Sequence, residues 1–508
     1  MKKSVVRPFF ALILISAFSA ALSAQPAGSP VAKHGRLGVS GSQVVNKDGV
    51  PTQLRGMSLY WSHSRSMRGF YNAQLVSWLA SDWKVDVVRA AMAVEPEQDF
   101  WDDERGYIND PVANKNRVTA VVDAAVTSGI YAIIDWHSHD AESFQQQAIS
   151  FFEEMAQKYK NVPNVIYEIY NEPLGPADSW QTIKPYMQAV TNAIRAIDAQ
   201  NLIIIGTPVY SQRVDVAAED PVQGANLAYA LHFYAGTTSH RATLRDYAYI
   251  AMSRGQAVFV SEFGTSGSSG DGSYSEPETN IWFSFLDQFK ISWVNWSICT
   301  DGKTSSALKS GASVNGNWNS GNLSASGAYI RGKLISPPGS ETVFYTLSIN
   351  KIGEGTVGSS PNSILVQKGA TVQLTAFAAR NWTFQGWSGD VTSADNRPSF
   401  TMDGNKEVTA TFVSSSSALP SSARGGVARW SVRRAGGALS LSGPPDAPAA
   451  YAALYDTRGK AVRSFSVKNG QTTVSGGGVK LPSGSYVLVV KNRSTGREMY
   501  KTRVSFVD

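Results

Sequence analysis

A (β/α)8 barrel followed by two small all-β modules is the architecture this sequence predicts, and three observations carry the prediction. Apolar strand-like segments recur about every 30 residues up to residue 297, most of them followed by an amphipathic helical stretch. Breaks rich in Ser, Pro and Gly at 336–340 and 414–426 then cut off two shorter blocks. Both blocks alternate apolar and polar residues between Gly-rich turns, as short antiparallel strands do. A doubly wound open sheet is the competing fold, but no GxGxxG follows the first strand.

Residues 1–24 read as an export signal. Lys2, Lys3 and Arg7 precede the apolar run FFALILISAF, and small residues lead to a cleavage site expected between Ala21 and Gln25. The barrel region, 25–336, supplies the strand candidates LRGMSL (54–59), VDVVRAAM (85–92), YAIIDWH (131–137), VIYEIYNE (165–172), LIIIGTP (202–208), LAYALHFY (227–234), AVFVSEFG (257–264) and SWVNWS (292–297). Between them VTAVVDAAVTSG, ISFFEEMAQKYK, IKPYMQAVTNAIRAI and NIWFSFLDQF place apolar residues at helical spacing. The block 341–413 and, beyond the linker 414–426, the block 427–508 are the two β modules.

Composition narrows the function classes. A chain of 508 residues exceeds what one core can hold, and 43% hydrophobic with 17% charged residues is ordinary for folded soluble domains. Cys299 stands alone, so no intrachain disulfide forms and an inert buried thiol is expected. Six histidines without a Cys/His cluster argue against a metal centre, and neither metal nor cofactor is expected. The net charge of +6 hides an asymmetry: residues 424–508 carry 14 Lys/Arg against 4 Asp/Glu, leaving the rest at −4. The basic surplus belongs to the tail, so the barrel shows no sign of a nucleic-acid partner, and a monomer is expected.

In a barrel the chemistry sits at the C-terminal ends of the strands. Those ends here read Arg89, Asp135, His137, Asn171, Glu172, His232, Tyr234, Glu262 and Trp296. Polar residues closing apolar strands cost stability unless they have a task, and so many on one face point to a site. Glu172 closes the fourth strand and Glu262 the seventh, ends that converge across the mouth of a closed barrel. Two carboxyls about 5 Å apart suit glycoside hydrolysis with retention, and about 6.5–9.5 Å would imply inversion. The sequence leaves that gap open.

The segments IYEIYNEP, VRAAM, DWH, HFYAG, VSEFGTS and WVNWS, in this fold order, resemble glycoside hydrolase family 5, most closely its bacterial endoglucanase branch (subfamily 2), over residues 35–335. The resemblance implies an endo-β-1,4-glucanase with Glu172 as acid/base and Glu262 as nucleophile. It further implies that Asn171 holds the sugar 2-hydroxyl, that Arg89 and Tyr234 flank Glu262, and that His232 flanks Glu172, whose apolar setting keeps it protonated. His137 would contact sugar hydroxyls and Trp296 would stack beneath the sugar. Tyr60 stands where relatives carry a histidine, Tyr210 where a tryptophan is usual for a product-side platform, and Lys303 in a loop that often reaches distal sugars. A mannanase or xyloglucanase on the same barrel, or a non-catalytic glycan-binding barrel, are the competing readings. The middle block, GEGTVGSSPNS to FQGWSGD, resembles a single divergent internalin-type B repeat acting as spacer, with Trp382 and Trp387 as core or glycan-contacting indoles. The last block, with YDTRGKAV and LPSGSYVLVV, resembles C-terminal sorting domains of the type IX secretion route, which implies secretion machinery as a partner and delivery outside the cell. Trp430 is its one tryptophan.

Overall fold

Eight short parallel strands close on themselves because each carries apolar residues on both faces, one set for the barrel interior and one for the surrounding helices. They are β1 (Arg55–Leu59), β2 (Val87–Ala93), β3 (Tyr131–His137), β4 (Val165–Glu168), β5 (Ile203–Ile205), β6 (Leu227–Tyr234), β7 (Ala257–Gly264) and β8 (Trp293–Ile298), paired in sequence order with β8 returning to β1. This computed structural model describes residues 25–95, 105–339 and 342–415, and in the C-terminal block 431–435, 438–443, 450–456, 461–467, 471–474, 484–493 and 498–506. The export signal 1–24, most of the linker 414–426 and Trp430 lie outside the described residues.

Alternation along the strands builds two cores. Val88, Ala90, Met92, Ile134, Trp136, Tyr229 and Val260 face the helices. Their neighbours Val87, Ile133, Ile166, Ile204, Ala230, Phe259 and Val294 fill the lower interior, closed beneath by Val31, Leu37 and Val44 of the N-terminal segment. Continuing the same faces upward turns apolar into polar: Ile133 is followed at the two-residue period by Asp135 and His137, and Ala230 by His232 and Tyr234. The interior is therefore a packed plug with a polar upper layer.

The helices begin and end where local chemistry allows. In α1 (Pro111–Ser128) the Asp110 side chain accepts from the Ala113 amide, Pro111 opens the helix, and Gly129 closes it at φ 70°. Ser275 caps α2 (Glu276–Phe289) in the same way through the Glu278 amide. Two expected strands are shorter than the sequence suggested. β4 stops at Glu168, so Asn171 and Glu172 stand in the loop beyond it, and β5 covers only Ile203–Ile205. The Asn171 and Glu172 amides leave the β4–β5 ladder and donate to the Trp136 and Ser138 carbonyls instead, at 3.2 Å each.

The middle block forms a four-stranded and a three-stranded sheet around Leu347, Val372, Leu374, Trp387, Val408 and Phe412. Trp387 is a core indole, and Trp382 packs half-buried against that core. The block is not a free spacer. Phe344 and Leu365 are buried in the outer core of the barrel itself. Asp246, on a helix of the barrel (Ala242–Ser253), accepts hydrogen bonds from the Ser363 hydroxyl and the Ile364 and Leu365 amides at 2.9–3.1 Å. The described parts of the C-terminal block are antiparallel strands in two sheets with a core of Leu441, Leu454, Leu488 and Val490. Among the described residues no helix is long and apolar enough to cross a membrane.

Candidate active site

Arg89 organises the barrel mouth. It projects from β2, fully buried, and its Nε donates to Glu168 Oε2 at 2.7 Å. Nη1 donates to Glu262 Oε2 at 2.8 Å, while Nη2 meets Asn171 Oδ1 at 2.7 Å and Asp135 Oδ2 at 3.0 Å. Burial pulls the guanidinium down, but the carboxylates of Asp135, Glu168 and Glu262 overcome this and push it up, so it stays charged. The register explains the meeting: Ala91 is opposite Asp135 across β2 and β3, and Asp135 is opposite Glu168 across β3 and β4.

On the far side a register shift between β6 and β7 brings Glu262, rather than Ser261, opposite His232. The Tyr234 hydroxyl donates to Glu262 Oε1 at 2.7 Å, so both oxygens of that glutamate are held. Burial and then the neighbouring Glu172 charge raise the Glu262 carboxyl, and His232, Arg89 and Tyr234 hold the rise in check. Glu172 is the opposite case. Its Oε1 lies 3.0 Å from His232 Nδ1 and its Oε2 lies 3.2 Å from His139 Nε2. Burial would raise it, but hydrogen bonds from His139 and His232 win and hold the carboxyl at about 2. The apolar, protonated setting expected for Glu172 is thus replaced by an imidazole on each oxygen. His232, buried, is pulled down by desolvation but pushed up to about 9 by Glu168 and Glu172.

The carbohydrate-sized space around these groups is aromatic. The rings of His137 and Trp296 are parallel with centroids 5.2 Å apart, Tyr60 tilts against Trp296 at 5.4 Å, and Trp61 meets His137 edge-on at 4.4 Å. Asp135 Oδ2 holds His137 Nδ1 at 2.6 Å, and burial pushes that imidazole well down, so it is neutral. A cavity of about 280 Å³ on one side of Glu172 is lined by Tyr60, Trp61, His137, Glu262, Trp296 and Lys303 among others. A second of about 530 Å³ runs to the other side past Val209, Tyr210 and Gln212. All eleven residues expected at the site therefore border one cleft or brace its walls.

Residues 45–302 match the family Cellulase (glycosyl hydrolase family 5). The chain belongs to glycosyl hydrolase family 5. It is 48% identical over 264 residues to Endoglucanase Z of Dickeya dadantii, covering 52% of this chain and 59% of that protein. It is 42% identical over 301 residues to an endoglucanase of Clostridium saccharobutylicum, covering 58% and 64%. The chain thus spans about three-fifths of the length of these relatives. Among solved structures, one from Cytophaga hutchinsonii is 46% identical, covering 60% of this chain and 96% of that one at TM-score 0.57. The catalytic domain of Thermobifida fusca endoglucanase Cel5A is 33% identical, covering 61% and 100% at TM-score 0.56. Residues 345–416 match the Divergent InlB B-repeat domain, as the middle block suggested.

Sequence reasoning missed several residues of this family 5 site. His139 lies two positions after His137 in DWHSHD, and its proximity to Glu172 depends on the loop beyond β3. Glu168 is a charge inside the apolar run VIYEIYNE, four residues before the Glu172 of the Asn-Glu-Pro motif. Trp61 sits beside Tyr60. Glu172, His232 and Glu262 each offer a donor atom within 4.8 Å of the others, a spacing a metal ion could use. Oxygens and nitrogens of these three side chains are also engaged by Arg89, Tyr234, Ser261 and one another.

Proposed function

We propose that the chain is a retaining endo-β-1,4-glucanase that cleaves soluble or amorphous cellulose and, as a second substrate, mixed-linkage β-glucan. The observation that carries this reading is the approach of a Glu172 oxygen to within 4.8 Å of a Glu262 oxygen. An approach of that order fits the ~5 Å of double displacement better than the ~6.5–9.5 Å of inversion. A Thermobifida fusca Cel5A variant has been solved with cellotetraose, which supports a β-glucan chain in the equivalent cleft.

Glu262, anchored by Arg89 and Tyr234, attacks the anomeric carbon while Glu172 gives a proton to the departing glycosidic oxygen. Glu172, now a carboxylate, then takes a proton from water that displaces the sugar from Glu262. Asn171, fixed by Arg89, is placed to hold the sugar 2-hydroxyl, and the ring stacks on Trp296. His137, neutral and clamped by Asp135, offers a hydrogen bond to a sugar hydroxyl. Tyr60 and Lys303 border the distal side and Tyr210 the product side.

Reducing-sugar release from carboxymethylcellulose, barley glucan, mannan and xylan tests the substrate, with the first two expected to be cleaved fastest. Preference for mannan would point instead to a mannanase. Proton NMR of fresh product should show the β-anomer first, and prompt appearance of the α-anomer would reject double displacement. We further read the chain as exported through residues 1–24, with the basic C-terminal block engaging secretion machinery.

A further inference from the structure

Among the described residues, His139 is the one side chain touching a proposed catalytic carboxyl that also reaches solvent appreciably. Its ring is 36% exposed and lies edge-on to Trp61 at 5.7 Å. It rides on a short loop after β3, tied from below by Glu95, whose Oε1 accepts from the Ser138 hydroxyl and the His139 and Asp140 amides. The other imidazole on Glu172 is enclosed: His232 is buried, with Nδ1 on Glu172 and Nε2 on Ser261 Oγ. A proton exchanging between Glu172 and water by way of His232, which borders the second cavity but is only 2% exposed, has little ring surface to leave from. Through His139 it has an exposed ring.

We propose that His139 is a positioning residue that loads the proton onto Glu172, holding Oε2 in the empty cleft and releasing it when the leaving oxygen of the substrate arrives. This rests on the reading of Glu172 as acid/base. The step balances. The Nε2–H bond of the His139 imidazolium breaks, an O–H bond forms on Oε2, and the imidazole turns toward solvent neutral. The O–H proton then passes to the glycosidic oxygen as its bond to the anomeric carbon breaks. Glu172 later takes a proton from the attacking water, and when the product leaves that proton returns from Oε2 to His139 Nε2, which restores the starting state.

The electrostatic surroundings agree with that role. Burial pulls the His139 imidazole down, but the hydrogen bond to Glu172 and the charges of Glu172, Glu95 and Glu262 lift it above its ordinary value. His137 and Tyr170, whose hydroxyl donates to the His139 carbonyl at 2.9 Å, are further titratable neighbours, and Asp140 follows it in the chain. Glu172 in turn faces His232, Glu262, Tyr234 and, at longer range, His240.

The test compares kcat/KM for cellotetraose, whose leaving group needs a proton, with that for a dinitrophenyl cellobioside, whose leaving group does not. In the full chain, His139→Gln and His139→Asn should each lose at least ~10-fold on cellotetraose, a fraction of what a general acid contributes, and no more than about twofold on the aryl glycoside. The alkaline limb of the remaining cellotetraose activity should shift, because the imidazole that loads Glu172 is gone and His232 is left as the one imidazole on that carboxyl. Undiminished cellotetraose activity with an unshifted pH profile, or equal losses on both substrates, would overturn the proposal. Glu172→Gln serves as the control: if it too keeps cellotetraose activity, the acid/base reading has failed rather than the assignment of His139.

Discussion

Arg89 carries its charge out of water and into a ring of acids, and such a cation is tolerable only while its partners remain. Replacing Glu168 by Gln takes a charged acceptor from Nε without removing volume. We expect Glu168→Gln to destabilise the fold by ~3 kcal/mol, read as a lowered denaturant midpoint. In the proposed catalytic pair, Glu172→Gln and Glu262→Gln should each lower kcat on soluble glucan at least ~100-fold. Glu172→Gln should leave the unfolding midpoint close to that of the parent, whereas Glu262→Gln, which also takes a charged acceptor from Arg89, should lower it as Glu168→Gln does. pH adds a signed expectation. His232 has its folded value raised to about 9 from 6.5, so its stabilising contribution is complete below about pH 6.5 and is lost as pH rises through about 9. The unfolding temperature should therefore fall across that window, and His232→Asn should flatten the fall. At this scale the sequence was legible where a polar residue falls near the end of an apolar run, as with His232 and Glu262. Arg89, expected at a strand end, instead lies early in β2 (Val87–Ala93) and reaches the site by the length of its side chain. His139 was not, because a loop conformation rather than a strand period brings it to Glu172.

Among the elements, the strands were legible because burial on two faces leaves little else that VVRAAM or YALHFY could form. Their ends were harder to read. The apolar run through VIYEIYNE continues past Glu168, but the backbone beyond it bonds to the Trp136 and Ser138 carbonyls, and only tertiary pairing decides that. The middle block shows a larger gap between pattern and packing. Its alternating strands were evident, yet nothing in them announced that Phe344 would sit in the outer core of the barrel. There Phe344 lies 5.9 Å from the Phe285 ring and beneath Arg245, and it exchanges two hydrogen bonds with the Gln288 side chain at 2.8–3.0 Å. Phe344→Ala should cost about 3 kcal/mol by leaving a cavity there. Asp246→Ala should cost about 1–2 kcal/mol by stranding the Ile364 and Leu365 amides. Calorimetry should show barrel and middle block melting in one transition in the parent chain. A chain ending at Ser336 should melt lower yet keep most activity on soluble glucan, since every proposed catalytic residue precedes that point.

For the whole molecule, charge separates the parts by task. The cleft lies in a region that is slightly acidic overall, and the surplus of ten positive charges belongs to residues 424–508. Neutral cellulose offers such a surplus no electrostatic attraction, whereas a receptor or an acidic surface does. Deleting residues 424–508 in the native host should strand active enzyme in the periplasm, followed by fractionation and glucanase assay. Unchanged delivery to the medium would remove the sorting role. Catalysis rests on the division of labour between two glutamates across one barrel mouth. Its most direct test is to trap the intermediate with a dinitrophenyl fluorocellobioside and to locate the sugar by peptide mass spectrometry. A stoichiometric adduct on Glu262, absent from Glu262→Gln, is expected if Glu262 is the nucleophile. An adduct on Glu172, or steady hydrolysis with no adduct at all, would contradict it.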